Sequence, residues 1–220
     1  FNLDHGTDFL TSLDGVPVNL RTHAHGQGYT DLNFLIPELI GRVDYLKGPY
    51  FASKGDFASA GAADIHYAEA FPSSTIGATV GTLRYYRGVA TGSPGLAGGK
   101  LLYGFEFMHE DGPWVRPDDY RRLNGVLRYT RPFGDARLSV AAMAYAGTWN
   151  ATDQIPLRAV QAGEIGRFGA IDSTTGGSSH RYSLDATWDQ PVGGGTLTAT
   201  VYAVKYDLSL FSNFTYFLDD

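Results

Sequence analysis

The residues of this sequence with the clearest capacity to bind a metal or a ligand are two histidines, His23 and His25. Alternate side chains of an extended segment point to the same side, so both imidazoles face one way. Imidazole and carboxylate groups together suit Zn, Cu, Ni or Fe, and Asp4, His5 and Asp8 precede the pair. His23 and His25 are therefore candidate ligand-binding residues. The alternative is that they are polar loop residues that form only local hydrogen bonds. No resident metal site is assigned.

Patterns typical of catalysis are missing from the sequence. Gly26-Gln27-Gly28 is not followed by the Lys-Ser/Thr of a phosphate-binding loop, and no Gly-x-Ser-x-Gly motif occurs. The absence of Cys excludes a disulfide framework and a thiolate metal site. Glu106 and Asp185 could form a glycosidase pair, but alternating strand positions explain them more simply as polar lining. The sequence predicts neither an enzyme nor a cofactor.

The composition favours a β-rich protein. Only 18% of the residues are charged, while 43% are hydrophobic and 28 of the 220 are Gly. These values suit an all-β protein with many turns, or a transmembrane barrel with an apolar outer surface and aromatic girdles. The net charge of -6 argues against a nucleic-acid partner. No apolar run reaches the roughly 18–20 residues of a membrane-spanning helix.

Two regions differ in texture. Residues 1–56 read as a small α+β unit, with a short helix over 31–40 that Pro37 limits to one or two turns and a strand at 43–47. From Phe57 onward the hydrophobic period is two, which predicts strands. Seven are predicted, at 61–69, 76–90, 100–110, 120–130, 137–149, 181–189 and 196–209.

The predicted strands alternate sharply between apolar and polar faces. In the strand 181–189, for example, Leu184 and Trp188 alternate with Arg181 and Asp185. Arginines on the polar faces could pair with carboxylates such as Asp44 or Glu38 of the N-terminal unit, or could be solvated charges; they are Arg84, Arg87, Arg122 and Arg128. Aromatic residues suited to an interfacial girdle are Tyr145, Trp149, Tyr182, Trp188, Tyr202 and Tyr206.

The connections between the strands alternate in length. Residues 131–135 and 190–195 are tight turns, whereas 111–118 is longer and 151–177 is longest. Short turns at one end and long loops at the other are typical of bacterial outer-membrane barrels. Loops carry function more often than walls do, so Arg158 and Arg167 of the longest loop are further candidate ligand-binding residues.

Several motifs of this sequence resemble those of TonB-dependent outer-membrane receptors. Leu13-Asp14-Gly15-Val16-Pro17-Val18 is similar to a strand of the family's plug. Arg42-Val43 and Lys47-Gly48-Pro49, followed by the Gly/Ala-rich segment 59–65, are similar to the family's passage from plug to barrel. The family's usual Tyr-Gly after this junction is replaced by Lys54-Gly55.

The resemblance implies a mainly β fold, with the C-terminal part of a plug at 1–56 and an incomplete barrel at 57–220. It assigns the plug–barrel junction to Arg42, Lys47, Gly48, Pro49 and Gly61. The family's TonB-binding box is not found, and a full member would have about 22 strands. We therefore expect a fragment of a longer receptor, unable to transport by itself.

The function that the resemblance implies is energised uptake of a scarce nutrient, such as a siderophore, cobalamin, metal or sugar. The expected location is the outer membrane of a Gram-negative bacterium. The expected partners of the protein are outer-membrane lipid, TonB in the intact protein, and a small-molecule or metal-complex ligand. The alternative is a soluble β-rich module that binds carbohydrate or another ligand. Such a module would need a second sheet over Phe105, Leu127, Leu184 and Trp188, or polar residues in their place.

Overall fold

The computed structural model describes residues 6–22 and 27–213, and this part of the chain is dominated by β-strands. The first six strands are β1 (Phe9–Leu13), β2 (Val16–Pro17), β3 (Leu20–Thr22), β4 (Gln27–Tyr29), β5 (Ile40–Lys47) and β6 (Gly61–Tyr67). The next five are β7 (Thr75–Val80), β8 (Tyr86–Gly92), β9 (Gly95–Leu96), β10 (Gly99–Glu110) and β11 (Tyr120–Phe133). The last elements are β12 (Ala136–Asn150), the short helix α1 (Leu157–Ala162), β13 (Gly176–Val192) and β14 (Gly195–Phe211).

The N-terminal unit, which comprises the described residues up to Tyr67, contains a four-stranded sheet in the order β2-β1-β6-β5. Asp14 and Gly15 join β1 to β2 with positive φ angles of 48° and 84°, as a tight hairpin requires. The helix predicted over 31–40 is reduced to one 3₁₀ turn at Pro37–Leu39. Pro37 lacks the N–H that would extend a helix backward, and the Asp31 carboxylate accepts a hydrogen bond from the backbone N–H of Asn33.

The prediction that 61–69 forms the first strand of the large sheet is wrong. The strand β6 pairs in parallel with β1 and antiparallel with β5, and so completes the small sheet. Ile65 and Tyr67 of β6 are buried in the core of the N-terminal unit. Alternation along the sequence reports that a strand has two different faces, but it does not report which sheet the strand joins.

The large sheet, which we call the wall, has the strand order β7-β8-β10-β11-β12-β13-β14, with β9 beside β10. All its pairs are antiparallel. The strand predicted over 76–90 is two strands, because Leu83 and Arg84 turn the chain with φ angles of 57° and 54°. The remaining predicted strands are confirmed, and β10 to β14 have 12 to 17 residues each, more than the ~9–11 needed to cross a bilayer.

The connections of the wall follow the predicted alternation. Residues 111–119 and 151–175 form the long connections at one end of the strands, and 134–135 and 193–194 form tight turns at the other. We call these the long-loop end and the tight-turn end. The helix α1 lies within the longest connection.

In a soluble sheet the apolar face is buried and the polar face is exposed, whereas the wall shows the reverse. The outer face, which points away from the N-terminal unit, exposes Leu184 by 56% and Phe105 by 51%. Other exposed apolar residues are Leu123, Leu127, Trp188, Leu197 and Val201. The inner face buries polar groups, among them Glu106, Asn124, Arg128, Arg181, Ser183 and Asp185.

Among the described residues, no second sheet covers the outer face of the wall. The soluble alternative would need such a second sheet, or polar residues on the outer face. In the described part of the chain, no helix has the length and apolarity needed to span a membrane.

The N-terminal unit packs directly against the inner face of the wall. Ile36 and Leu39 share one core cluster with Leu102 and Val126 of the wall. Gly104 permits this approach, because a Cβ atom there would lie 2.6 Å from Cδ1 of Leu39. The contact places the loops of the N-terminal unit beside the wall strands.

Candidate functional site: a cavity between the N-terminal unit and the wall

A cavity of about 410 Å³ opens at the long-loop end of the wall, where the N-terminal unit meets the inner face. Tyr29 and Asn33 of the N-terminal unit form one side of the cavity. The other side comes from the strands β10 to β13 and the connections that follow them. Its residues are Glu110, Trp114, Asp118, Tyr120, Tyr145, Trp149, Asn150, Ala151, Thr152 and Ser179. Five aromatic rings therefore surround a space in the size range of small-molecule sites.

Hydrogen bonds hold the aromatic side chains of this cavity in place. The Tyr145 hydroxyl lies 2.9 Å from the Ser179 hydroxyl on the neighbouring strand, and Tyr120 donates to the side-chain oxygen of Asn33 at 3.3 Å. Tyr145 is thus tied to the neighbouring wall strand β13, and Tyr120 to the N-terminal unit. Apolar rings with fixed polar tips can both stack on a ligand and orient it.

The connection 111–119 forms the rim of the cavity and carries Trp114 and Asp118. The indole N–H of Trp114 donates to Oδ2 of Asp118 at 2.8 Å, and the Trp114 ring packs edge-on against Phe168 at 6.0 Å. Gly112 has a φ angle of 66°, and a Cβ atom there would lie 2.9 Å from the Trp114 ring. Glycine at this position therefore allows the ring to fold back over the cavity.

The acidity of the rim is reduced by its surroundings. Burial, the largest influence, raises the pKa of Asp118 above its ordinary value. The hydrogen bond from Trp114 opposes this rise, while the charges of Glu110 and Asp111 add to it. Burial thus makes the negative charge of the Asp118 carboxylate costlier than it would be in water.

Below the cavity, a network of ion pairs joins the N-terminal unit to the wall. Glu106, with a fully buried side chain, accepts hydrogen bonds from Arg87 at 2.5 and 2.9 Å and from Arg122 at 2.8 Å. Arg87 also reaches across to Glu38 in a bidentate pair at 2.6 and 2.7 Å. Arg87 lowers the pKa of Glu38, chiefly through these hydrogen bonds. The predicted pairing of a wall arginine with Glu38 is thereby observed.

A second cluster of charges lies towards the tight-turn end. Arg128 of the wall donates to Asp14 at 3.0 Å and to the backbone oxygen of Ala68. His66 lies between Asp14 and Asp44, with nitrogen–oxygen distances of 3.6 and 3.3 Å. Burial raises the pKa of Asp14, and the charges of Arg128 and His66 oppose this rise.

These groups border a polar cavity of about 600 Å³ between the N-terminal unit and the wall. Asp185, Thr187 and Thr198 line its wall side. The inner face of the wall is therefore polar on both sides of the central ion-pair network.

Of the candidate ligand-binding residues predicted from the sequence, those that the structure describes do not line the cavity. His23 and His25 lie outside the described residues. Arg158 lies on α1 and Arg167 in the connection after it, where its guanidinium is 5.9 Å from the Phe168 ring centre. Both arginines are exposed, and neither lines the cavity. Their contact with a ligand stays a prediction.

The predicted junction residues lie where β5 ends and β6 begins. Lys47 pairs in register with Gly61, and Gly48 donates its backbone N–H to Ala60 at 2.8 Å. A Cβ atom on Gly61 would lie 2.4 Å from the backbone oxygen of Leu46. This segment therefore closes the small sheet and does not itself enter the wall.

Two more of the named residues, Arg42 and Pro49, lie at the surface of this segment. Arg42 forms an exposed ion pair with Asp44 at 2.9 Å, and Pro49 is the second residue after the end of β5. Neither contributes to the core of the N-terminal unit.

Sequence reasoning missed most of the cavity. Tyr145 and Trp149 are candidates for the interfacial girdle by sequence, but they line the cavity on the inner side. Tyr206 also faces inward and donates to Asp31 at 2.9 Å. A usable signal was present for Tyr145, because antiparallel pairing sets it opposite the polar-face residue Asn124.

Comparison with known proteins agrees with the geometry. The family model of the TonB-dependent receptor plug domain matches residues 3–62. The siderophore receptor PiuA from Acinetobacter baumannii is similar in structure, with a TM-score of 0.68 and 14% identity over 93% of this chain and 30% of that chain. The ferric-catecholate import receptor Fiu from E. coli K12, in its open form, has a TM-score of 0.67 and 13% identity over 92% of this chain and 32% of that chain.

No curated protein matches the sequence significantly. The chain spans about a third of the length of the two receptors. Most of the N-terminal unit thus matches the plug-domain model, and the chain as a whole has the fold of the corresponding part of these two receptors. The resemblance predicted from the sequence motifs is confirmed.

Proposed function

We propose that this chain is part of an outer-membrane receptor that binds a small ligand outside the cell and imports it with energy delivered through TonB. The observation that carries the proposal is the distribution of side chains on the wall, which is the reverse of that in a soluble sheet. Exposed apolar side chains cover its outer face, and the N-terminal unit covers its polar inner face. A lipid-facing sheet around a polar lumen requires this distribution, whereas a water-exposed sheet would not tolerate so extensive an apolar surface.

We propose that the plug domain ends later than the predicted boundary at 56/57. Because β6 belongs to the small sheet, the boundary would lie in the connection 68–74, and the barrel would begin with β7. The inward-facing arginines of the wall would then hold a complete plug sheet against the barrel.

The long-loop end would face outside the cell, and the aromatic cavity would receive the ligand. Its five rings and its hydroxyl, amide and carboxyl groups suit a flat, aromatic, oxygen-rich molecule. An iron chelate of the siderophore class has this chemistry, and both structural neighbours named above are receptors for such compounds.

Import of this kind needs binding, rearrangement of the plug and release, and it needs no covalent step. The contacts between plug and wall suit rearrangement, because Arg87 can keep its pair with Glu106 when Glu38 leaves. The polar cavity at the tight-turn end would lie on the route inward.

The three tryptophans of the chain allow a direct test of the ligand site. Trp114 and Trp149 line the cavity, while Trp188 lies on the outer face. We would titrate the full-length protein in detergent with a ferric catecholate and record tryptophan fluorescence. The quenching should fall in Trp114→Phe and Trp149→Phe, and should be unchanged in the matched control Trp188→Phe.

Affinity provides the second readout of the same titration. Loss of a stacking ring is worth about 0.5–1.5 kcal/mol beyond area burial, so Trp149→Ala should weaken binding several-fold or more. Equal effects of Trp149→Ala and Trp188→Ala would contradict the assignment of the cavity. Tight binding of cobalamin or a sugar in place of the ferric chelate would contradict the ligand class alone.

A further inference from the structure

A histidine and two aspartates meet at the long-loop end of the wall, outside the aromatic cavity. His109 lies in β10, Asp111 follows that strand directly, and Asp119 directly precedes β11. Since His109 and Glu110 point to opposite faces of the strand, Glu110 lines the cavity while His109 does not. The two aspartates lie at the ends of the connection that carries the cavity rim.

The three side chains lie close together around the imidazole ring. One ligand atom from each of the three lies within 4.8 Å of those from the other two. Nε2 of His109 is 3.1 Å from Oδ1 of Asp111, and Nδ1 is 3.6 Å from Oδ1 of Asp119. His109 is 8% exposed and Asp111 is 7% exposed. This group is mixed in chemistry and mostly shielded from water.

Two of its atoms lack the hydrogen bonds that buried polar atoms normally have. Nε2 of His109 and Oδ1 of Asp111 are both fully buried, and neither has a hydrogen-bond partner of acceptable geometry. Their separation of 3.1 Å is nevertheless short. Buried atoms without partners in a native structure call for an explanation such as a bound ion.

A metal ion explains both the closeness and the missing hydrogen bond. Nitrogen and carboxylate oxygen ligands each lie about 2.0–2.2 Å from Zn²⁺, so two of them on one ion are roughly 3–3.5 Å apart. The nitrogen–oxygen distance of 3.1 Å falls within this range. In such an arrangement each atom directs a lone pair at the ion and not at the other atom.

The surroundings of the three residues fix their orientation. Arg84 donates to the other carboxylate oxygen of Asp111, Oδ2, at 3.0 Å, which leaves Oδ1 available. Arg121 holds Asp119 with hydrogen bonds at 3.0 and 3.1 Å. The ring of Tyr86 stacks on the imidazole with centroids 6.1 Å apart and an interplanar angle of 20°. Partners of this kind orient metal ligands and balance their charge.

We infer that Nε2 of His109 and Oδ1 of Asp111 bind a divalent transition-metal ion, with Zn²⁺ as the best match to imidazole and carboxylate ligands. Asp119, beside Nδ1 of the same ring, would orient the imidazole as a carboxylate partner. The ion and the imidazole together would join the two ends of the connection 111–119. That connection carries Trp114 and Asp118, so metal binding would stiffen the rim of the aromatic cavity. The site is separate from the proposed ligand cavity and does not depend on the proposed function.

The test is isothermal titration of Zn²⁺ into the chelator-treated full-length protein. The wild type should show a Zn²⁺ site that Ca²⁺ does not compete for, since Ca²⁺ takes only oxygen ligands. The variants His109→Ala and Asp111→Asn should each weaken this site at least tenfold. Asp111→Asn preserves the side-chain shape, so it keeps the test valid if His109→Ala does not fold.

The matched control is His66→Ala, because His66 also lies between two aspartates but has 30% of its side chain exposed. It should leave the Zn²⁺ site unchanged. Zn²⁺ should also raise the melting temperature of the wild type and not that of Asp111→Asn. Absence of Zn²⁺ binding to the wild type, or binding of equal strength in Asp111→Asn, would overturn the inference and leave His109 as a partner of two carboxylates only.

Discussion

The inner and outer faces of the wall follow opposite rules, although they belong to the same strands. On β11, Asn124 and Arg128 point inward and are buried, while Leu123 and Leu127 point outward and are exposed. A soluble protein would reverse this distribution. The contrast shows that burial in this chain is set by what each face contacts, which is the N-terminal unit on one side and a proposed lipid environment on the other.

The largest loss of stability is expected where the inner face buries a charged side chain away from water. Glu106→Ala removes the fully buried carboxylate that Arg87 and Arg122 share and leaves two arginines, each with a side chain only 16% exposed, without it. Breaking a buried ion pair in this way costs about 3–5 kcal/mol. Chemical denaturation of the full-length protein in detergent would measure the loss.

The matched control is Glu38→Ala, which removes the other carboxylate from the same Arg87. The Glu38 side chain is 38% exposed, so this change should cost about 1 kcal/mol or less. If the two variants were equally stable, the inner face would not be the water-excluded surface that we describe.

A charge placed on the outer face should give the next largest effect. Leu184 lies midway along β13, opposite Ala142 and Ala203. In a bilayer, Leu184→Arg should cost about 2–4 kcal/mol, whereas Val192→Arg at the tight-turn end should cost about 0–1 kcal/mol. Folding into lipid vesicles would measure both. A cost below 0.5 kcal/mol for Leu184→Arg would indicate an outer face in water.

Two glycines of neighbouring strands compare the faces by steric fit. A Cβ atom at Gly104 on the inner face would press on Leu39, whereas one at Gly125 on the outer face would meet Phe105 at an ordinary 3.7 Å. Gly104→Ala should therefore destabilise the protein by about 1–3 kcal/mol through overpacking. Gly125→Ala should change the stability by less than about 0.5 kcal/mol. The reverse order would argue against close docking of the N-terminal unit.

The smallest expected effect is on the pH dependence of this docking. The pKa of Glu38 is lowered, chiefly by hydrogen bonds from Arg87. A lowered pKa means that Glu38 adds stability above its ordinary value of 4.5, and that this contribution is lost as the pH falls through the folded-state pKa. The stability difference between wild type and Glu38→Gln should therefore shrink as the pH falls below 4.5. A difference that grows on acidification would contradict the pairing.

The wall was easier to predict from the sequence than the site was. Period-two alternation is local, so β11 and β13 were predicted with errors mainly in their ends. The membership of β6 was missed because it depends on parallel pairing with β1, some 50 residues earlier. Only the pairing of strands in three dimensions shows whether a strand belongs to the small sheet or to the wall.

The site residues were missed for a related reason. An aromatic residue near a strand end suits both an interfacial girdle and a lumen cavity, so Tyr145 and Trp149 were ambiguous by type alone. The spacing of His109 and Asp111 places both on one face of an extended chain and was visible in the sequence. Asp119 joins them only because β10 and β11 are paired neighbours.

The contrast between the two faces can be measured by spin labels on single cysteines, because this chain has no Cys of its own and any Cys elsewhere in the full-length protein can be replaced by Ser. We would place labels at Leu123, Leu127 and Leu184 in the full-length protein reconstituted into vesicles, with Asp135 in a tight turn as the control. We expect the three outer-face labels to collide with oxygen and to be shielded from a water-soluble nickel chelate, and the label at 135 to show the reverse. Outer-face labels as accessible to the nickel chelate as the label at 135 would contradict it.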